Sequence, residues 1–306
     1  MIKIERIADF SGHQNPVYTV ENSQKQHIIF TGGNDKGVVE WSLKTNAFVK
    51  VLMPVKSSIY AMHSPEFSPI LAVGERSGAV QIFNFENQKV EKSLNHHTLP
   101  VFDIKSVRSK NELLVSSEDG TVSVWDMKDY ELVYKFNVSA DTVRVMAISP
   151  DEKLIAFGCK DNLIRVYNLE DYSLHTELPG HSMPVTSVQF SPDGSVLYSG
   201  SRDAHLKTWS TSDFSLLQSI PAHLFAIYDI KFHPTKPYFA TASRDKTIKI
   251  WSNDDLRLCR IISREKGFES HYLSVNKIAW NKHNENLISV GDDKMVLVWD
   301  VKFEED

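Results

Sequence analysis

The segments "TVSVW" (121–125), "LIRVY" (163–167) and "TIKIW" (247–251) alternate β-branched or aliphatic residues with polar ones. That period of two predicts half-buried strands rather than helices. Each alternating segment ends on an aromatic residue, and the aromatics are evenly spaced. The series is Trp41, Phe83, Trp125, Tyr167, Trp209, Trp251, Trp299, with five gaps of 42 residues and a last gap of 48. Further columns keep the same register. Six places before the aromatic stand Asp35, Ser77, Asp119, Asp161, Asp203, Asp245, Asp293. Twenty-eight before it stand His13, Val55, His97, Ser139, His181, His223, His271. Four after this column every copy has Val or Ile, from Val17 and Ile59 to Val275. Turn spellings such as "SPDG" (191–194) separate the strands. Each copy reads as four short strands that cannot bury both faces alone, so copies must stack.

The Gly-His pairs at 12–13 and 180–181 and the Trp-Asp pairs at 125–126 and 299–300 resemble the WD-repeat family, along essentially the whole chain. The resemblance implies an all-β fold: a closed seven-bladed β-propeller of four-stranded antiparallel blades, one domain over residues 1–306. The last copy reaches only "VWDVKFEED", while "IKIERIAD" (2–9) sits where outer strands precede other copies. The N-terminal strand should therefore complete the last blade.

His97, Ser117, Asp119 and Trp125 recur as His181, Ser201, Asp203, Trp209 and as His223, Ser243, Asp245, Trp251. A hydrolase needs one accessible serine with an oxyanion site, not three copies of the set, and there is no G-x-S-x-G turn. The resemblance implies a hydrogen-bonded network that fastens each blade: the Asp satisfies turn donors, the His links the turn to the preceding loop, and the indole completes the chain. Blade two (Val55, Glu75, Ser77, Phe83) and blade four (Ser139, Cys159, Tyr167, keeping Asp161) depart from the pattern and should be less tightly fastened. No phosphate-binding loop, C-x2-C pair or H-E-x-x-H stands in the chain, and the remaining histidines lack ligand spacing, so no catalytic residue, metal or cofactor is expected.

Function should lie where copies differ at the surface. The resemblance places two informative columns on the narrower face, at the channel mouth. One precedes the turn Asp: Asn34, Arg76, Glu118, Lys160, Arg202, Arg244, Asp292. The other lies five after the His column: Tyr18, Tyr60, Phe102, Arg144, Thr186, Tyr228, Asn276. Of these, Tyr18, Tyr60, Arg76, Phe102, Arg144, Lys160, Arg202, Tyr228 and Arg244 are the expected partner-binding residues. Arg with Tyr is the composition of interface hot spots. The expected function is a non-catalytic scaffold binding a partner's peptide or loop, with an acidic or phosphorylated group over the cations. The alternatives are a nucleic-acid-associated module using the same cations, and a propeller hydrolase. The six extra residues of the last gap fall in "SREKGFES" (263–270), where Phe268 could be an exposed anchor.

Composition narrows this only a little. The chain has 306 residues and a net charge of −5, which argues against nucleic acid or an anionic membrane. Two cysteines without framework spacing fit a reducing compartment. The opening residues lack an apolar stretch of signal-peptide length, and no run approaches the roughly 18 apolar residues that cross a bilayer. A cytoplasmic monomer is therefore expected.

Overall fold

The computed structural model describes residues 2–303. Twenty-eight strands form seven four-stranded antiparallel sheets, and a single 3-10 turn is the only helical element among the described residues. Six sheets are simple meanders in chain order. In the seventh the order is β1 (Ile2–Phe10), β28 (Val296–Phe303), β27 (Leu287–Gly291), β26 (Val275–Trp280). The N-terminal strand thus completes the last blade, with Ile4 opposite Val301 and Phe10 opposite Val296. This is the all-β, seven-bladed propeller class.

The described chain falls into two compact units: residues 1–59 with 228–306, and residues 60–227. Within each unit, successive blades share their cores. In the first, Ile248 and Ile250 of blade six pack with Ile278, Leu297 and Trp299 of blade seven. Val17, Ile29 and Trp41 of blade one likewise pack with Ile288, Val296 and Val298. In the second, Ile104, Leu113 and Val115 meet Ile70, Ala72 and Ile82. Val166 and Leu178 meet Val188, Phe190 and Trp209.

Burial follows strand position. The second strand of blade three, β11 (Glu112–Ser117), is buried at every residue, covered on both faces, with Ser116 and Ser117 buried beside Leu113, Leu114 and Val115. The outermost strand of the same blade, β13 (Leu132–Asn137), is exposed at all but Phe136. Between the second and third strands the third residue of the turn has positive φ in every blade: Lys36, Gly78, Gly120, Asn162, Ala204, Lys246 and Lys294. This is a type I turn closed by a left-handed residue. At Gly120 (φ 81°) an added Cβ would also fall 2.2 Å from the Ser139 carbonyl oxygen, so glycine is required there.

Candidate interaction site and the network beneath it

Both columns singled out in the sequence sit at the turn end of the blades. The column five after the histidine occupies a β-bulge. Register skips one residue between Val101 and Asp103, between Val143 and Val145, and between Val185 and Ser187. The skipped residues are Phe102, Arg144 and Thr186. The same skip falls on Tyr18 and Asn276 in the other unit. A bulge residue is freed from the ladder and re-aimed, so the repeat has one adjustable side chain per copy here. The column before the turn Asp is tied by its backbone instead. The amides of Glu118, Lys160 and Arg202 donate to the carbonyls of Pro100, Thr142 and Pro184 at 2.9–3.0 Å, which leaves their side chains exposed.

In the unit of residues 60–227 three bulge-column side chains touch. Tyr60 stacks on Phe102 with centroids 5.5 Å apart, and the Arg144 guanidinium lies 4.8 Å over the Phe102 ring. This is a half-buried ladder across blades two, three and four. Lys160 is held by Asp141 at 3.0 Å. Arg76 and Arg202 are exposed, with no side-chain hydrogen bond or ion pair among the described residues. In this unit the two columns therefore hold an aromatic–cation ladder, a paired lysine and two open arginines. In the other unit, Tyr18 and Tyr228 are half-buried and Arg244 is exposed.

Beneath these columns lies the fastening network. In blade five His181 Nδ1 meets Asp203 Oδ2 at 2.8 Å and Nε2 meets Ser199 Oγ at 2.8 Å. The Trp209 indole donates to the same Ser199 oxygen at 2.9 Å. The histidine of this chain is buried, as it is at the matching positions His13, His97 and His271. Blade three has His97 on Asp119 (2.8 Å) and on Ser123 (2.9 Å), with Trp125 on Ser123 (2.9 Å). Blades one and seven repeat it with Thr31 and Ser289. In blade six Trp251 donates to Thr241.

The serine aligned in the sequence is therefore not the one between histidine and indole. Ser117 and Ser201 point the other way. Their hydroxyls donate to the Leu99 and Met183 carbonyls and accept the amides of Asp119 and Asp203. Ser243 accepts the Asp245 amide in the same way. The bridging hydroxyl stands ten before the aromatic, two places earlier on the same strand. Blade three shows how the network adapts. Its residue ten before the aromatic is Val115, and the bridging hydroxyl comes from Ser123, directly opposite Val115 in the ladder. Blades two and four use the same cross-strand position. Gln81, opposite Val73, donates to buried Glu75 at 2.8 Å. Arg165, opposite Phe157, ion-pairs with Asp161 at 2.8 Å and bonds Glu177 at 2.7 Å, while Ser139 donates to Asp161 at 2.8 Å.

Electrostatics follow from the same bonds. Burial alone would raise the Asp119 and Asp203 carboxyls. Hydrogen bonds from His97 and Thr121 to the first, and from His181 and nearby amides to the second, outweigh it and hold both well below the usual carboxylate range. Burial lowers His13 below its ordinary value against the pull of Asp35. Burial, reinforced by Asp161, pushes the Cys159 thiol up to about 12, which leaves it an inert core residue. No group of three or more His, Cys, Asp or Glu among the described residues has metal-site geometry. No helix among the described residues is long and apolar enough to cross a membrane.

The extra residues of the last repeat are folded inward. Ser263 caps the 3-10 turn Arg264–Lys266, and Gly267 (φ 85°) ends it. Phe268 is half-buried against Trp299 at 6.2 Å, and Glu269 pairs with Arg6 of β1. Phe268 is thus packed against the core by its ring rather than standing out as an exposed anchor.

Seven four-stranded blades with one repeating network, adapted in blades two to four, define a repeat-built propeller. Residues 4–42, 88–126, 130–168, 172–210, 214–252 and 263–300 match WD40, described as "WD domain, G-beta repeat". The chain belongs to this WD-repeat family. It is 26% identical over 153 residues to "COMPASS component SWD3" of Saccharomyces cerevisiae, covering 47% of this chain and 45% of that protein. It is 31% identical over 137 residues to "Eukaryotic translation initiation factor 3 subunit I" of Aspergillus terreus, covering 40% of each. It is 29% identical over 80 residues to "Retinoblastoma-binding protein 5 homolog" of Drosophila melanogaster, covering 26% of this chain and 16% of that protein. The chain thus spans under half the length of these relatives.

Proposed function

We propose that this protein is a non-catalytic scaffold that holds a peptide or loop of a partner protein at the turn end of its blades, with an acidic or phosphorylated group of the partner against the cations there. The observation that carries this reading is the Tyr60–Phe102–Arg144 ladder. A rigid aromatic surface ending in a cation binds an extended chain at small entropic cost. The imidazoles that would suit a hydrolase are spent on the turn aspartate and a bridging hydroxyl, at 2.8–2.9 Å in blades three and five, while Ser117 and Ser201 donate to backbone carbonyls instead. Two relatives are named as a component and a subunit of larger assemblies, which supports membership of an assembly for this chain too. Pairing of Lys160 with Asp141 leaves fewer cations for a phosphate backbone, so the protein reading is preferred over nucleic acid.

The test is affinity capture with mass spectrometry, comparing wild type with Phe102→Ala/Arg144→Glu. Loss of specific partners at an unchanged unfolding midpoint is expected. Full retention overturns the ladder as the binding surface. Arg244→Glu and Tyr228→Ala, in the other unit, are tested separately for their own contribution.

A further inference from the structure

Resting on the reading of the chain as a protein-binding scaffold, we propose a second contact surface on blade five. The loops of Met183 and of Leu224–Phe225, both bonded to the turn that carries Arg202, seat a partner segment that carries large apolar side chains beside a carboxylate.

Leu224 is 83% exposed, the most exposed large apolar side chain among the described residues, and Phe225 and Met183 are 56% and 46% exposed. The repeat supplies its own control for whether folding demands this. The two positions after the His column, Leu224–Phe225 here, read Gln14–Asn15, Lys56–Ser57 and Ala140–Asp141 in blades one, two and four, Thr98–Leu99 and Ser182–Met183 in blades three and five, and Tyr272–Leu273 in blade seven. The loop therefore forms without an apolar pair in five copies, and none of the other copies exposes an apolar side chain as far as Leu224.

The pair is presented on a rigid base. The amides of Ala222 and His223 both donate to the Ala204 carbonyl, at 3.1 and 3.2 Å. Ala222, His223 and Ala226 are buried. Ile227 packs over Gly200, and its carbonyl accepts the Thr186 hydroxyl at 2.5 Å. On the other side, the Met183 carbonyl accepts Ser201 Oγ at 2.8 Å, and the Pro184 carbonyl accepts the Arg202 amide at 2.9 Å. Both loops thus hang from the turn 201–204, which carries the exposed Arg202.

Arg202 makes no side-chain hydrogen bond or ion pair among the described residues. The neighbouring Asp203 does not neutralise it from the surface, since its side chain is 6% exposed and bonded to His181. One open guanidinium matches one carboxylate through two parallel bonds, whereas a phosphate dianion calls for several cations. An apolar anchor next to Asp or Glu is therefore the complementary segment.

The test starts from short random peptides displayed on phage and selected on the purified full chain. The best binder is synthesised with a fluorophore and titrated by anisotropy. Enriched peptides should place Leu, Phe or Trp within a few residues of Asp or Glu. Leu224→Gln/Phe225→Asn, which copies the polar pair of blade one, and Arg202→Glu should each weaken binding at least about tenfold at an unchanged unfolding midpoint. Phe102→Ala/Arg144→Glu should change it less than about twofold. Binding unaffected by the loop variant overturns this surface, as does enrichment without acidic residues. Loss confined to the ladder variant also removes it but leaves the ladder reading intact. Tighter binding of a phosphoserine version of the peptide, or displacement by single-stranded oligonucleotide, overturns the carboxylate assignment.

Discussion

Blades four and five lie next to each other in one unit and solve the same problem with different chemistry. Blade five runs Asp203–His181–Ser199–Trp209 as a continuous chain of short bonds. Blade four has Ser139 at the histidine position of the network and Tyr167 at the indole position. Phe157 stands where Ser199 does, in edge contact with Tyr167 (5.4 Å), and the turn aspartate is held by Ser139 and Arg165. The Tyr167 hydroxyl reaches the Asn137 carbonyl instead, at 3.3 Å. The inner position of a blade can thus be filled by polar bonds or by aromatic packing, provided that the turn aspartate keeps a donor. The departures in blade four are substitutions within one design rather than gaps in it.

The comparison breaks most sharply if the two fillings are removed. Phe157→Ala should cost about 3–5 kcal/mol, the range for emptying a buried aromatic site, read as a fall in the urea midpoint at constant slope. Ser199→Ala, which removes only the hydroxyl, strands a buried imidazole nitrogen and the Trp209 N–H. At about 1–2 kcal/mol for each of the two orphaned groups it should cost about 2–4 kcal/mol. A loss under about 0.5 kcal/mol would show that the chain of bonds does not fasten blade five. Ser123→Val should cost about 1–3 kcal/mol in blade three, and adding Val115→Ser should restore most of it, because the two residues face each other in the ladder. Failure of that rescue would deny that the hydroxyl is interchangeable across strands.

Acid should act through the same bonds. Asp119 and Asp203 have folded values below their unfolded value of about 3.9, so their stabilisation is complete above about pH 4 and fades as pH falls towards the lower folded values. His13, lowered by burial, favours the folded state above about pH 6.5 and loses that contribution as pH falls below it. The urea midpoint should therefore begin to fall below about pH 6.5 and fall more steeply below about pH 4. Asp203→Asn should lower the plateau and flatten the steep limb. The smallest effect is expected at the clasp on β1. Arg6→Ala removes a pair whose Glu269 is 80% exposed and should cost no more than about 1 kcal/mol.

Much of this was legible in the chain. The period of two, the 42-residue spacing and the leftover N-terminal strand state the blade count and how the last blade is completed, because strand alternation and turn chemistry are local. His97, His181, Asp119 and Asp203 were legible as network members, since each stands at a fixed distance from its aromatic. The bridging hydroxyl was not. Ser117 and Ser201 align, yet the partner of an indole depends on which residue lies across the ladder. The one available signal was that a hydroxyl ten before the aromatic is present or absent, and in blades two to four is replaced by Gln81, Ser123 or Arg165 opposite it. Phe268 was misread because a short insertion carries no period, and only the turn after Ser263 directs its ring.

By itself, the sequence determined the architecture, the family and the columns in which copies differ, since these rest on spacing and on short-range turn and strand preferences. The tertiary structure alone decided what those columns do: which cation is already paired, which aromatics stack, and which apolar tips remain in solvent. Those outcomes depend on the neighbour that a blade brings to a given side chain, and that neighbour stands some 40 residues away or on the facing strand.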